Sequence, residues 1–313
     1  MSPILVIGAT GHVGSQVVAQ LSDKGLPVRA MTRKPGAVRL PSQVELVQGD
    51  LTSPETLEPA LNGVDTLFLV WTAPPAAFPG ILERIATRVR RIVYLSAPLK
   101  TPHPFFQQPN ATRVVAEQIE RSIEASGLEW TFLRPGMFAC NAPHWWGQQL
   151  RAGDLIRWPY LNVPTAPIDP RDIAAIGVRA LCENGHGGAE YVLTGPESLT
   201  QREQISIVGS VLGRSLRIEE MTPDQAREEL VSVMDWGMAP ATSVLAVIEK
   251  LLSAWGAAVG LPAFISTTFS EITGTRPRTF RQWAGDHAGE FLGLASTVRR
   301  SSAAHPYGKP TLY

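Results

Sequence analysis

The run Ile4-Leu5-Val6-Ile7-Gly8-Ala9-Thr10-Gly11-His12-Val13-Gly14 constrains this chain more than any other stretch. Four consecutive apolar residues read as a strand buried on both faces, and three glycines at three-residue spacing carry it into a helix expected over Ser15–Lys24. Each glycine has its own physical reason. Gly8 permits a sharp turn off the strand end, where a Cβ would clash. Gly11 lets the backbone approach a pyrophosphate, whose charge the N–H groups of the helix N-terminus meet. Gly14 lets helix and strand pack closely. The placement after a strand and before a helix separates this run from an ordinary glycine-rich turn, so dinucleotide binding is expected at Gly8, Ala9, Thr10, Gly11, His12, Val13 and Gly14.

At 313 residues the chain can bury a large core, as one domain with a sizeable appendage or as two domains. Lys and Arg number 28, as do Asp and Glu, which leaves no basic footprint for nucleic acid or an anionic membrane. Cys140 and Cys182 lack metal-ligand spacing and read as reduced thiols, so no metal is expected. No window approaches about 18 uninterrupted apolar residues. The most apolar late stretch, Val244–Ile265, carries Glu249 and Lys250 and reads as a buried or amphipathic helix pair. No basic segment followed by an apolar run opens the sequence, and a cytoplasmic protein with a small-molecule substrate is expected.

Pro27–Thr32 alternates as a second strand and ends in Thr32-Arg33-Lys34. A fold of this kind that prefers NAD carries an acid there for the ribose 2′-hydroxyl. No acid is present, and Arg33 can fork onto a 2′-phosphate; the alternative is two solvated surface cations. NADP(H) is therefore favoured over NAD(H). Asp50, after a third strand at Val44–Val47, stands either at the adenine side, with Leu51 covering the ring, or as the cap of a helix beginning near Pro54. Asp65–Trp71 is a fourth strand whose end, Val70-Trp71-Thr72, opens onto the cofactor. Arg91–Ser96 is a fifth strand; a proline-bearing loop, a helix over Thr112–Ser126 and a sixth strand, Glu129–Leu133, follow.

Six such alternations imply an α/β fold with a doubly wound parallel sheet over residues 1–136, to which segments near 165–195 return. A smaller, mainly helical substrate-binding region covers 137–292, and 293–313 reads as a flexible tail. Met137–Pro167 reads as loop-rich. It carries Phe138, His144, Trp145, Trp146, Trp158 and Tyr160, which either wall a pocket for a flat apolar ligand or form the core between the two parts.

In shared order and spacing, GATGHVG (8–14), VRAMTRKP (28–35), GDL (49–51), RIVYLSA (91–97), SGLEWTFLRPGMFACN (126–141), IDPRDIA (168–174), YVLTGPESLTQRE (191–203) and ITGTRPRTFRQWAGDHAGEF (272–291) resemble the NmrA-like group of atypical short-chain dehydrogenase/reductases. The resemblance implies a Rossmann domain with a small helical substrate domain. It places the phosphate loop on residues 8–14, the 2′-phosphate contact on Arg33, and nicotinamide-side strand ends on Val70-Trp71-Thr72, Ser96-Ala97 and Pro135-Gly136-Met137-Phe138. The Tyr-x-x-x-Lys pair of typical short-chain dehydrogenases falls near Thr112 and Ala116, neither of which can serve. Two functions remain. One is an NADPH-dependent reductase of a quinone, iminium ion or activated enone, with His144, Tyr160, His103 and Lys100 as candidate proton donors. The other is a non-catalytic NADP(H) sensor acting through a protein partner; a homodimer is compatible with either.

Overall fold

The computed structural model describes residues 2–37, 40–233 and 241–294; the expected tail beyond Leu294 lies outside them. Strands β1 (Ile4–Ile7), β2 (Val28–Thr32), β3 (Glu45–Gln48), β4 (Thr66–Leu69), β5 (Arg91–Leu95) and β6 (Glu129–Pro135) alternate with helices α1 (His12–Asp23), α2 (Glu58–Leu61), α3 (Phe78–Ala86), α4 (Pro104–Gln107) and α5 (Ala111–Ala125). There follow α6 (Ala142–Ala152), β7 (Leu155–Pro159), β8 (Pro164–Thr165), α7 (Pro170–Cys182), β9 (Ala189–Leu193), β10 (Leu199–Thr200) and α8 (Gln201–Val211). The chain continues through β11 (Arg217–Met221), α9 (Pro223–Val233), α10 (Ala241–Ala257), α11 (Thr268–Thr273), α12 (Phe280–Asp286) and α13 (Ala288–Phe291).

Seven strands form one sheet in the order β3-β2-β1-β4-β5-β6-β9, every neighbouring pair parallel. The order reverses between β1 and β4, the switch point where open sheets of this kind bind ligands. The sheet is α/β and doubly wound because its strands are apolar on both faces. Val6, Phe68 and Leu133 pack on one side with Val17 of α1 and Ile173 of α7. Leu5, Leu67, Ile92 and Phe132 pack on the other with Ile81 of α3 and with Ile119 and Ile123 of α5. Each of these fully buried side chains contributes about 2 kcal/mol. β9 joins beside β6, and α7 packs on α1, where Gln20 Nε2 donates to the Arg171 carbonyl at 2.9 Å.

Two sequence expectations are corrected. The loop-rich reading of Met137–Pro167 gives way to α6, β7 and β8. Ala142, Trp145, Trp146 and Leu150 have helical spacing and are buried, but Pro143 and Gly147 obscure it. Pro143 lies in the first turn, where its missing N–H costs nothing. Gly147 lies inside the helix where α13 packs on it; an added Cβ there would meet the flexible end of Arg151 at 3.0 Å and the Phe291 carbonyl oxygen at an ordinary contact distance of 3.5 Å. The expected helix pair over Val244–Ile265 is a single helix, α10, followed by an irregular strap, Leu261–Thr267. The turn before the strap uses Gly260 at φ +78°, and Pro262 lacks the N–H a continuing helix needs.

Candidate active site

At the phosphate end, Gly8 has φ +86°, and a Cβ there would stand 2.7 Å from Val70 Cβ. The Gly11 N–H donates to the Gly8 carbonyl at 3.0 Å, closing the turn. At Gly14 an added Cβ would come within 2.2 Å of the Gly8 carbonyl oxygen. Gly14 thus lets α1 close on the turn itself rather than on the strand. Gly11 differs from both: beyond the Gly8 carbonyl oxygen at 3.4 Å nothing else lies within contact of its missing Cβ. It is exposed at the head of α1 and leaves the first-turn N–H groups open to an anion. Ala9, Val13 and Gly14 are buried beneath this surface, and Thr10 is exposed on it. The His12 ring meets the ring of His144 from α6, edge to face, with centroids 6.4 Å apart. A histidine from the later region therefore reaches the phosphate loop.

Arg33 is exposed just past β2. The Asp50 carboxylate accepts the Thr52 N–H and hydroxyl, both at 2.8 Å. Those bonds, and after them the charge of Arg33, hold its pKa below the usual carboxylate range. The N-cap of the one-turn helix that follows is Ser53, so Asp50 braces the turn in front of that helix. Leu51 and Trp71 are buried in the apolar layer, where Trp71 meets Phe78 edge to face at 4.9 Å. Val70 adjoins Gly8, and Thr72 is exposed.

At the ends of β5 and β6 the structure holds a charged network that sequence reasoning missed. The buried Ser96 hydroxyl donates to Glu120 Oε1 at 2.5 Å. Arg134 binds the same carboxylate through Nε at 3.0 Å and Nη2 at 2.6 Å, and its Nη1 reaches Glu190. Lys100 Nζ donates to the other oxygen of Glu190 at 3.2 Å. Burial alone would lower the Arg134 pKa, but Glu120 and Glu190 outweigh it and raise it further. Pro135 is buried beside this network, in register with Leu193. Ala116 packs with Ala97 and Leu99, and Thr112 N–H caps onto Asn110 at 2.9 Å.

The aromatic residues divide. Phe138, Trp145, Trp146 and Trp158 are at most 2 % exposed. The three tryptophans surround one another and Trp255, with centroids 5.6–6.0 Å apart. They occupy the core rather than an open pocket wall, because only a closed interior satisfies this much apolar surface. Tyr160, at φ +52°, turns its hydroxyl against Gly256 of α10. The cleft beyond β5, β6 and β9 is built from other side chains: His103, which caps α4, Phe105 and Phe106 of α4, Met137, Thr165, Thr194, and Ala263 and Phe264 from the strap. An added Cβ on Gly136 would lie 3.3 Å from the Phe106 ring and 3.6 Å from the Thr194 methyl group, which places this glycine at the cleft. The sheltered space is about 10 Å³, room for roughly one water molecule.

The model of the NAD(P)H-binding family matches residues 8–180. The chain belongs to that family. It is 37 % identical over 297 residues to the (4-alkanoyl-5-oxo-2,5-dihydrofuran-3-yl)methyl phosphate reductase of Streptomyces griseus, covering 92 % of this chain and 99 % of the relative. It is 31 % identical over 299 residues to the NAD(P)H azoreductase of Xenophilus azovorans, again covering 92 % and 99 %. Among solved structures, Citrobacter sp. triphenylmethane reductase superimposes with TM-score 0.73 at 20 % identity, covering 93 % of this chain and all of that one. This protein is an NAD(P)H-dependent reductase of the NmrA-like, atypical short-chain type. Among the described residues, no helix is long and apolar enough to cross a membrane.

The turn Gly8–Gly14 fits a dinucleotide cofactor on the geometry of this chain. The space over Gly11 and the first-turn N–H groups of α1 suits a pyrophosphate. The exposed Arg33 guanidinium stands past β2 with the braced Asp50 carboxylate across from it.

Proposed function

We propose that this reductase uses NADPH in preference to NADH to reduce a flat, conjugated, apolar acceptor, without a Tyr–Lys pair. The observation that carries the reading is the pairing of Thr112 and Ala116, where an acid and its lysine would stand, with a cleft walled by Phe105, Phe106, Met137 and Phe264. Ala116 is buried against Ala97 and Leu99, and the charged groups that α5 offers nearby are engaged elsewhere: Arg113 with the Phe106 carbonyl, and Glu120 with Ser96 and Arg134. An acceptor that places its charge on a conjugated oxygen or nitrogen needs little acid catalysis. The furanone and azo groups in the relatives' names are of this kind.

In this reading the residues divide the work. The turn over Gly8–Gly14 binds the pyrophosphate and Arg33 forks onto the 2′-phosphate. Val70, Thr72, Ser96 and Pro135 border the path from the switch point toward the cleft, and the Glu120–Arg134 pair holds Ser96 in place. Bound NADPH supplies the hydride. The aromatic walls orient a flat ring and keep water from it. His144, at the phosphate loop, and Tyr160, against α10, stand apart from the cleft lining, which favours His103 among the polar candidates.

Loss of NADPH absorbance against a panel of quinones, iminium ions, enones and azo compounds tests the reading, with at least one panel member oxidising the cofactor. NADPH binding without turnover of any member would overturn it. That result would favour a redox sensor, a reading to which one observation lends support: the strap fills the cleft with the protein's own Phe264.

A further inference from the structure

We propose that His103 is the acceptor's hydrogen-bond donor, and that the strap Leu261–Thr267 holds that donor in reserve until an acceptor displaces it; the inference rests on the reductase reading above. His103 is half-buried in the lining of the cleft. Its Nδ1 accepts the Phe105 N–H at 3.3 Å, and its Nε2 lies 2.9 Å from the Pro262 carbonyl oxygen. A backbone N–H only donates and a carbonyl only accepts, so these two partners select the neutral ring with its proton on Nε2. That N–H is spent on the strap.

The strap has no regular structure and is tied down chiefly through side chains. Ser198 Oγ accepts the Ala263 N–H at 3.0 Å, and Thr194 Oγ1 accepts the Ser266 N–H at 2.9 Å. Ala263 and Phe264 close the cleft, so an aromatic ring cannot enter while the strap is down. An acceptor oxygen or nitrogen that takes the place of the Pro262 carbonyl leaves the Nε2–H satisfied, which makes the exchange cheap in hydrogen bonds. In the reduction, the acceptor gains a hydride, with its two electrons, from NADPH at one electrophilic atom. The negative charge that develops on the conjugated oxygen or nitrogen is met by Nε2–H, and a proton from water completes the product. The ring keeps its own proton throughout. An imidazole fixed in one tautomer by Phe105 is suited to donate in this way.

The test compares the wild-type protein with His103→Asn and His103→Gln. Asparagine retains an acceptor for the Phe105 N–H but is too short to reach the strap, whereas glutamine carries an amide N–H about as far as Nε2. Menadione is the probe. Hydrogen exchange at the Ala263 and Ser266 amides, followed without NADPH, is expected to quicken when menadione is added to wild type and to be fast from the outset in His103→Asn. With NADPH, kcat/KM for menadione is expected to fall about 100-fold in His103→Asn and to recover to within about 10-fold of wild type in His103→Gln. NADPH affinity stays unchanged in both. Strap exchange indifferent to menadione, or an undiminished kcat/KM in His103→Asn, overturns the proposal. Failure of wild type to oxidise NADPH with any acceptor instead strikes the reductase reading, and the exchange measurement without cofactor still decides the strap.

Discussion

The two ends of the binding crevice are built on opposite plans. The phosphate end is made of backbone: seven consecutive residues, two of whose glycines leave no room for a Cβ, present N–H groups at the head of α1. The cleft beyond β5, β6 and β9, the proposed acceptor end, is made of side chains from five separate places, with His103 and Phe264 lying 161 positions apart in the chain. A backbone site tolerates almost no substitution and recognises a group common to many cofactors. A side-chain site varies at each position independently.

Substitutions at each end can break or sharpen that contrast. The largest effect is expected at the junction between them, where Arg134→Met leaves Glu120 buried and unpaired. It should cost about 3–5 kcal/mol in chemical denaturation. A change below about 1 kcal/mol would mean that the acceptor end does not depend on this pair. Gly14→Ala forces a methyl group onto the Gly8 carbonyl, with about 3 kcal/mol of lost stability and NADPH binding lost in the same titration. Full NADPH affinity in that variant would show that the turn has slack that its geometry denies. Arg33→Ala should weaken NADPH binding by about 1.5–3 kcal/mol and leave NADH binding nearly unchanged. Equal losses for both cofactors would remove the 2′-phosphate role.

The smallest effect concerns α10, which packs on the cleft's α4 through contacts that include Ser253 Oγ to Gln108 at 3.0 Å. Burial lowers the Lys250 pKa from 10.5 to about 8. The folded state therefore sheds this proton before the unfolded state does. The cost of burying the charge is present in full below pH about 8 and is relieved as pH rises toward 10.5, so this group makes stability increase across that window. Lys250→Met should stabilise the protein at neutral pH by about 1–2 kcal/mol, allowing for partial exposure. It should also flatten the dependence of Tm on pH above 8. An unaltered pH profile would place the titration elsewhere.

Much of the fold was legible in the residues. Buried parallel strands are apolar runs, and glycine and proline punctuate them, so β1 to β6 fall within a residue or two of their expected places. Ahead of α8, Thr200 and Glu203 form a capping box, with Glu203 N–H donating to Thr200 Oγ1 at 3.1 Å. Helix α6 was hidden because Pro143 and Gly147 look like breakers, although Pro143 sits in the first turn, where its missing N–H costs nothing, and the helix runs on through Gly147. IDPRDIA places two aspartates at the head of α7, and they do different jobs. The cap is Asp169, which accepts the Arg171 N–H at 2.8 Å. Asp172 binds the Arg278 N–H at 2.7 Å, and burial raises its pKa despite that bond and the nearby guanidinium.

By itself, the sequence determined the parallel sheet and the glycine turn that carries β1 into α1. Both follow from local rules, since a strand's burial and a glycine's missing Cβ act within a few residues. Only the tertiary structure decided which aromatic residues are core and which face the cleft. Trp145 and Phe264 are both large and apolar, and nothing within either segment distinguishes them. The difference lies in what packs against each: Trp146, Trp158 and Trp255 enclose the first, and the second closes a cleft whose other walls come from distant parts of the chain.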